Sequence, residues 1–504
     1  VDQATNFASG TTEDMARTGI AGLDDVLGGG LTRGHVFLIE GEPGAGKTTV
    51  ALQILLEGAS RDERALYITL SETETELRQG AGSHGWKLPP SLEVYELTPP
   101  ESILDDDHKQ SLLYSSDLEL GETTKMIFDA VERVKPSLVV LDSLSEIRLL
   151  AQSSLRYRRQ ILAIKHYFSR YGATVVLLDD LTAEQADKTV HSVVHGVIRL
   201  EEQTPDYGAE RRRLRVIKYR GRRYRGGFHD FKITTGGIAV FPRLVASEFR
   251  SHAAHAQLPT GITELDALLG GGADLGSSTV VLGPAGTGKT LIAVTFAFAA
   301  IARGERAALF IFDEEIGLLY DRMLRMGFDL EAARKSGALT IEQVDAAELS
   351  PGEFAHMVRA TVKTRGIKTV VIDSINGYQA AMPAEKALVL HVHELLQYLN
   401  RKGATTFMTV AQHGLVGDMQ APIDITYLAD TVILLRYFEA MGEVRRAISV
   451  IKKRSGDHES TIREMSISSR GIKLGAPLSA FSGVLRGVPT YLGDPGSFSG
   501  DAPL

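Results

Sequence analysis

Short β-branched, apolar runs recur through the first half of the chain: HVFLIE (35–40), ALYITL (65–70), SLVVLD (137–142) and ATVVLLDD (173–180). Between them lie stretches with apolar residues at helical spacing, such as KTTVALQILLEGAS (47–60) and SLRYRRQILAIKHYFSRYG (154–172). Apolar runs this short, alternating with amphipathic helices, predict a largely parallel sheet with helices on both faces. The predicted fold class is α/β.

The pattern then repeats. TGIAGLDDVLGGG (18–30) returns as TGITELDALLGGG (260–272), and EGEPGAGKTT (40–49) as LGPAGTGKTL (282–291), both displaced by 242 residues (18 to 260, 47 to 289). VVLDSLSEI (139–147) answers VVIDSINGY (370–378), and LRVIKYRG (214–221) answers ISVIKKRS (448–455). Their offsets are 231 and 234 (142 to 373, 218 to 452), so small insertions have accumulated in loops. A unit of roughly 240 residues is too long for a solenoid repeat and suits one α/β domain. The expected organisation is therefore a domain at 1–247, a second at 248–490 and a Gly-, Pro- and Ser-rich tail at 491–504, with the join in VASEFRSHAAHAQLP (245–259).

Composition narrows the classes. At 504 residues the chain exceeds one ordinary core, and 43% hydrophobic with 23% charged residues indicates packing rather than disorder. The absence of cysteine excludes disulfides and thiolate chemistry. A net charge of −8 argues against a surface that coats nucleic acid. The opening VDQATNFASGTTEDMARTG has no apolar signal core, and no uninterrupted apolar stretch of membrane-spanning length occurs, so a cytoplasmic location is expected.

The repeated loop carries the chemistry. GxxxxGK[ST] after an apolar strand and before a helix is a P-loop, with Gly41, Gly44, Gly46, Lys47, Thr48 and Thr49 in one half and Gly283, Gly286, Gly288, Lys289, Thr290 and Leu291 in the other. The glycines let backbone N–H groups converge on phosphates at the positive end of the next helix. The lysine adds a charge at the β- and γ-phosphates, and Thr48 or Thr290 supplies a hydroxyl to Mg²⁺. One such loop arises by chance; two in register do not. Asp142 and Asp373, each ending a buried strand, are the expected carboxylates behind the metal. An aspartate in that place also serves as an ordinary helix N-cap, and only the duplication favours the metal reading.

Hydrolysis needs a group to orient or deprotonate water. Glu72 and Glu314 each follow a short strand 25 residues beyond the loop lysine (47 to 72, 289 to 314), preceded by Ser71 in one half and Asp313 in the other. The alternative is a solvated helix start, for which Ser and Asp are common caps.

Taken together, the TGIxxLDxxLGGG lead-ins, the paired P-loops and DTVILLRYFEAMGEVRRAISVIKKR (430–454) resemble the KaiC family, tandem RecA-like ATPases whose best-known members form two-tiered hexameric clock rings. The resemblance implies two RecA-like P-loop domains, ATP and Mg²⁺ as ligands, and a homo-oligomer with nucleotide at subunit interfaces. It assigns Lys218 and Arg220, and Lys452 and Arg454, as cations lent to a neighbour's triphosphate. Residues i and i+2 of a strand share a face, which suits that role. It also maps tandem glutamates onto Ser71–Glu72 and Asp313–Glu314, and a Ser-Thr phosphorylation pair onto Thr426–Tyr427. Thr426 is the possible phosphosite; Tyr427 departs from the family pattern and puts two-site cycling in doubt. The short tail does not carry over the partner-binding segment of the clock proteins.

Two other readings compete. The arginine-rich RRRLRVIKYRGRRYRGGF (211–228) suggests a DNA-dependent motor, although the second repeat lacks the cluster. Ser71 suggests a nucleotide-gated scaffold with little turnover. Gln412 and His413 are candidate γ-phosphate sensors or plain loop residues, Trp86 reads as helix-end packing, and the 14 histidines show no metal-ligand spacing.

Overall fold

A computed structural model describes residues 14–97, 112–181, 189–204, 208–245, 256–381, 385–412, 425–469, 471–486 and 489–492. The chain divides into two compact units, residues 1–243 and 244–504. The boundary expected between 247 and 248, most of the 491–504 tail and His413 lie outside the described residues.

The first unit is built on nine strands: Val36–Gly41 (β1), Ala65–Thr69 (β2), Leu92–Glu96 (β3), Leu138–Asp142 (β4), Thr174–Asp180 (β5), Gly196–Gln203 (β6), Arg211–Tyr219 (β7), His229–Thr234 (β8) and Gly237–Phe241 (β9). They lie in the order β3-β2-β4-β5-β1-β6-β7-β8-β9. The first six in that order are parallel and the last three add on antiparallel. The second unit has Ser278–Gly283 (β10), Ala307–Ile311 (β11), Leu339–Gln343 (β12), Thr369–Asp373 (β13), Thr405–Ala411 (β14), Thr431–Ala440 (β15), Glu443–Lys453 (β16), Arg463–Ser468 (β17) and Gly471–Pro477 (β18). Its order, β12-β11-β13-β14-β10-β15-β16-β17-β18, is the first order with nine added to each label. The two halves therefore share one topology as well as one set of motifs.

Period-two alternation explains why the central strands are apolar throughout. Along β1, Phe37 and Ile39 enter a core with Tyr67 and Val176, while Val36 and Leu38 enter another with Ile68 and Val175. In the second unit Val280 and Leu282 face one core with Phe310, and Val281 faces the other with Leu309 and Phe407. A strand with helices on both sides buries every side chain, so a charge on either face needs a partner, as Glu40 of β1 has in Arg199 and His191. Truncating one of these apolar residues to alanine costs about 2–5 kcal/mol.

Parallel strands need crossovers, and those crossovers bring every strand's carboxyl end to one edge of the sheet. Gly41, Asp142 and Asp180 end β1, β4 and β5; Gly283, Asp373 and Ala411 end β10, β13 and β14. This edge carries the chemistry below.

Candidate functional site

Each P-loop joins the central strand to a long helix, Lys47–Ala59 in the first unit and Lys289–Ala302 in the second. Gly46 and Gly288 hold the N-cap position at φ 96° and 104°, a left-handed conformation that a side chain would strain. A Cβ on Gly46 would also lie 2.8 Å from Ile233, and one on Gly288 2.7 Å from Ile467. Neither helix has a side-chain cap, so the N–H groups of its first turn stay available to an anion. Thr48 and Thr49 sit half-buried on that turn. In the second unit Thr290 matches Thr48, but the Leu291 side chain is buried in the core, leaving only its backbone for a ligand.

In the first unit Lys47 is 8% exposed and all three of its donors are engaged. They reach the carbonyls of Gly41 (3.0 Å) and Glu42 (2.9 Å) and Asp180 Oδ1 (2.6 Å). Thr48 Oγ1 stands 3.5 Å from Asp142 Oδ2, and the Tyr67 hydroxyl donates to that same oxygen at 2.5 Å. Burial pushes the Asp142 carboxyl above its ordinary range; the Tyr67 bond opposes this, and the charge of Asp180 adds to it. Asp142 is not the helix cap: Ser143 occupies that position, without a side-chain cap bond. Nor do Ser71 and Glu72 cap the next helix. Thr73 does so in a reciprocal capping box with Glu76. Glu72 is held through its backbone to Thr69 (2.9 and 2.7 Å), which leaves its carboxylate at the site edge. Burial raises its pKa, and the charges of Asp142, Glu76 and Asp180 raise it further.

The second unit differs in detail. Lys289 donates to the Pro284 carbonyl at 2.8 Å; burial lowers its pKa, and Asp373 opposes that shift. Asp373 accepts a hydrogen bond from Thr409, and Asp313 accepts one from Ser374. Glu314 is gripped by Arg322 through Nε (3.1 Å) and Nη2 (2.5 Å). The helix cap here is Glu315, which accepts from Gly317 and Leu318. Both strand-end aspartates precede a cis peptide bond, Asp142–Ser143 and Asp373–Ser374. The Gln412 backbone N–H reaches Gly283 O at 3.1 Å, and its side-chain oxygen has no partner among the described residues.

The cation pairs lie on the antiparallel side. Lys218 Nζ donates to the carbonyls of His191 and, at 2.8 Å, Val194; Arg220 donates to Ser192 O at 2.6 Å. Burial lowers the Lys218 pKa, helped by the charges of Arg220 and Lys165. Tyr219, between them, points the other way and bonds Gly30 O at 3.0 Å. Lys452 donates to Thr426 O (3.0 Å) and Ala429 O (2.7 Å), and Arg454 to Tyr427 O. Lys453 turns inward to Leu269 O (2.6 Å) and Gly272 O (3.2 Å). The middle residue of each triplet thus ties down the GGG loop of the lead-in motif. The lead-in itself closes on Asp24, bonded by Thr18 N and Oγ1 (2.9 and 2.7 Å), and on Asp266, bonded by Thr260 N and Oγ1 (both 2.7 Å).

The model of the family described as "ATPase: KaiC" matches residues 16–245 and 258–479. The chain belongs to the KaiC ATPase family. It is similar to the circadian clock protein KaiC3 of Synechocystis sp., 28% identical over 95% of this chain and 95% of that protein. It is 27% identical to the circadian clock oscillator protein KaiC of Acaryochloris marina, over 94% of this chain and 91% of that one. The KaiC of Synechococcus elongatus is likewise 27% identical, with 94% and 92% covered. The KaiC match falls on each repeat separately, so this is a KaiC-family ATPase built as a tandem repeat.

Several features of this KaiC-family chain escaped sequence reasoning. Asp180 was legible only by aligning TVVLLDD with TTFMTVA, where a carboxylate faces an alanine. Tyr67 looked like one more apolar strand residue. Arg322 lies eight residues beyond Glu314, two turns along a helix. The arginine cluster favouring a DNA motor is paired in part: Arg212 with Glu210 (2.7 Å) and Glu202 (3.3 Å), and Arg213 with Glu201 (2.8 Å). Arg213 and Arg215 also stack on Phe228, at 3.9 and 5.0 Å from the ring centre. Arg212, Arg213 and Arg215 already have carboxylate or aromatic partners, which makes that part of the surface a poor phosphate track. No helix of the described residues is long and apolar enough to cross a membrane.

Proposed function

We propose that the protein is an ATP-driven homo-oligomeric switch of two stacked rings, hexameric by analogy with its clock relatives, in which each repeat binds Mg-ATP at its P-loop. The observation that carries this reading is the duplicated grouping, at one sheet edge, of a loop lysine, a helix-first threonine and a strand-end aspartate. The residues suit magnesium. Thr48 Oγ1 and the Asp142 carboxylate are hard oxygen donors, and burial together with the nearby Asp180 charge holds Asp142 above its ordinary pKa, an environment that a cation would relieve. Thr290 and Asp373 form the matching set. When bound, the metal neutralises charge on the β- and γ-phosphate oxygens.

Glu72 in the first unit, and Asp313 with Glu314 in the second, orient or deprotonate the attacking water. A raised pKa makes Glu72 the better base. Lys218 with Arg220, and Lys452 with Arg454, are the cations each subunit lends to its neighbour, in a role worth roughly 10³–10⁵ in rate where such groups have been isolated. In the second unit Lys452 and Arg454 hold the turn that carries Thr426, which supports Thr426 as an acceptor of a phosphoryl group. The phosphorylation state would then be the signal that a partner protein reads.

A second reading, in which the C-terminal ring is a slow scaffold, is favoured by the engagement of Glu314 with Arg322 and of Asp313 with Ser374. The deciding experiment measures particle size and bound nucleotide with and without Mg-ATP, followed by mass spectrometry. The proposal expects a ring holding two nucleotides per chain and added phosphate at Thr426. A nucleotide-saturated monomer, or fewer than two nucleotides per chain, refutes the ring; unmodified Thr426 removes the kinase.

A further inference from the structure

The register of the two sheets makes one difference between the pockets unambiguous. Gly41 at the end of β1 pairs with Asp180, and Gly283 at the end of β10 pairs with Ala411. One site thus has a carboxylate beside the P-loop where the other has a methyl group. The carboxylate is engaged: Asp180 Oδ1 lies 2.6 Å from Lys47 Nζ, and with the Gly41 and Glu42 carbonyls it completes the three acceptors an ammonium can serve. Lys289 donates to the Pro284 carbonyl and is paired with no carboxylate among the described residues. Asp180 is 32% exposed on its side chain against 8% for Lys47, so the pair is only partly screened by water.

We propose that Asp180 distinguishes the two nucleotide pockets, by competing with the phosphates for Lys47 so that the first pocket loads triphosphate less readily than the second. The inference rests on the P-loops being the ATP sites. A triphosphate approaching Lys47 must displace Asp180 and then lie beside its freed negative charge. Diphosphate, with less charge at the far end of the chain, suffers less. The second pocket meets no such competitor, because Ala411 carries none. The same carboxylate makes up for an acid that the first unit lacks at Ser71. Glu72, Asp142 and Asp180 in one unit balance Asp313, Glu314 and Asp373 in the other, with the third charge moved from the hydrolytic edge to the loop lysine.

The test uses the full chain with Lys289→Ala, which leaves the first pocket as the site read, titrated with a fluorescent ATP analogue and its ADP counterpart, with and without magnesium. Asp180→Ala is expected to tighten ATP binding about 5- to 10-fold under both conditions, the effect of losing one partly buried charge pair, and to tighten ADP less. Asp180→Asn, which keeps the shape, should follow in the same direction. In the converse background, Lys47→Ala, adding Ala411→Asp should weaken ATP binding at the second pocket by a similar factor. Unchanged or weaker binding in Asp180→Ala and Asp180→Asn overturns the proposal. Weakening confined to magnesium-containing samples does so too, by placing Asp180 on the metal's side. Lys47→Ala with Lys289→Ala is the separate control. If that chain still binds as tightly as the parent, the P-loop assignment itself fails.

Discussion

The buried contact between Tyr67 and Asp142 allows a prediction whose size follows from the structure. In the proposed role beside the nucleotide's cation Asp142 must be ionised, yet burial and the neighbouring Asp180 charge both push its pKa up. The Tyr67 hydroxyl, 2.5 Å from Oδ2, is the largest opposing influence, because it stabilises the ionised form. Tyr67→Phe removes only that hydroxyl and leaves the ring in the core. A hydrogen bond to a charged group is worth about 1.5–3 kcal/mol, and its loss raises the Asp142 pKa further. The sign is fixed: losing a bond to the charged form makes protonation easier, so the acid limb of activity moves to higher pH. The assay is steady-state phosphate release against pH in the Lys289→Ala background, with and without Tyr67→Phe. The limb should move up while the rate well above it is retained. A shift smaller than about 0.3 units, or one toward lower pH, refutes the reasoning.

The remaining expectations concern the base, the lent cations and a buried pair. Glu72→Gln should lower turnover of the first pocket by about 10²–10⁴ with ATP binding intact, as removal of a general base does; Glu314→Gln in a Lys47→Ala background tests whether the second ring turns over at all. Mixing Lys47→Ala subunits with Arg220→Ala subunits, in a Lys289→Ala background, should restore activity above that of either alone, since a mixed interface pairs an intact P-loop with an intact cation; additive rates would show that Arg220 acts within its own chain. Glu40, 4% exposed, accepts from Arg199 (2.6 Å) and His191 (2.7 Å), while the equivalent cross-strand pair is Leu282–Leu434. Glu40→Leu alone should destabilise the first unit by about 3–5 kcal/mol, and adding Arg199→Leu should recover most of it, measured by denaturant unfolding.

The repeat, the two P-loops and the α/β class were legible in the sequence because each depends on local spacing: glycines that free a loop's backbone, apolar runs of strand length and motifs recurring at one offset. The strand-end aspartates were legible for the same reason, and the structure removes the competing cap reading for Asp142 by placing Ser143 at its helix start, and that for Ser71 and Glu72 by placing Thr73 at theirs. Tertiary structure alone decided how the charges are partnered. Asp180 meets Lys47 because β5 lies beside β1 in one particular register; the two residues are 133 positions apart (47 to 180) and nothing local links them. Arg322 reaches Glu314 only once its helix is packed at a particular rotation, and Tyr67 reaches Asp142 only because β2 lies against β4. A chain can announce which groups it carries at short range, whereas the partner of a charge depends on strand order and helix rotation, which the packed fold alone sets.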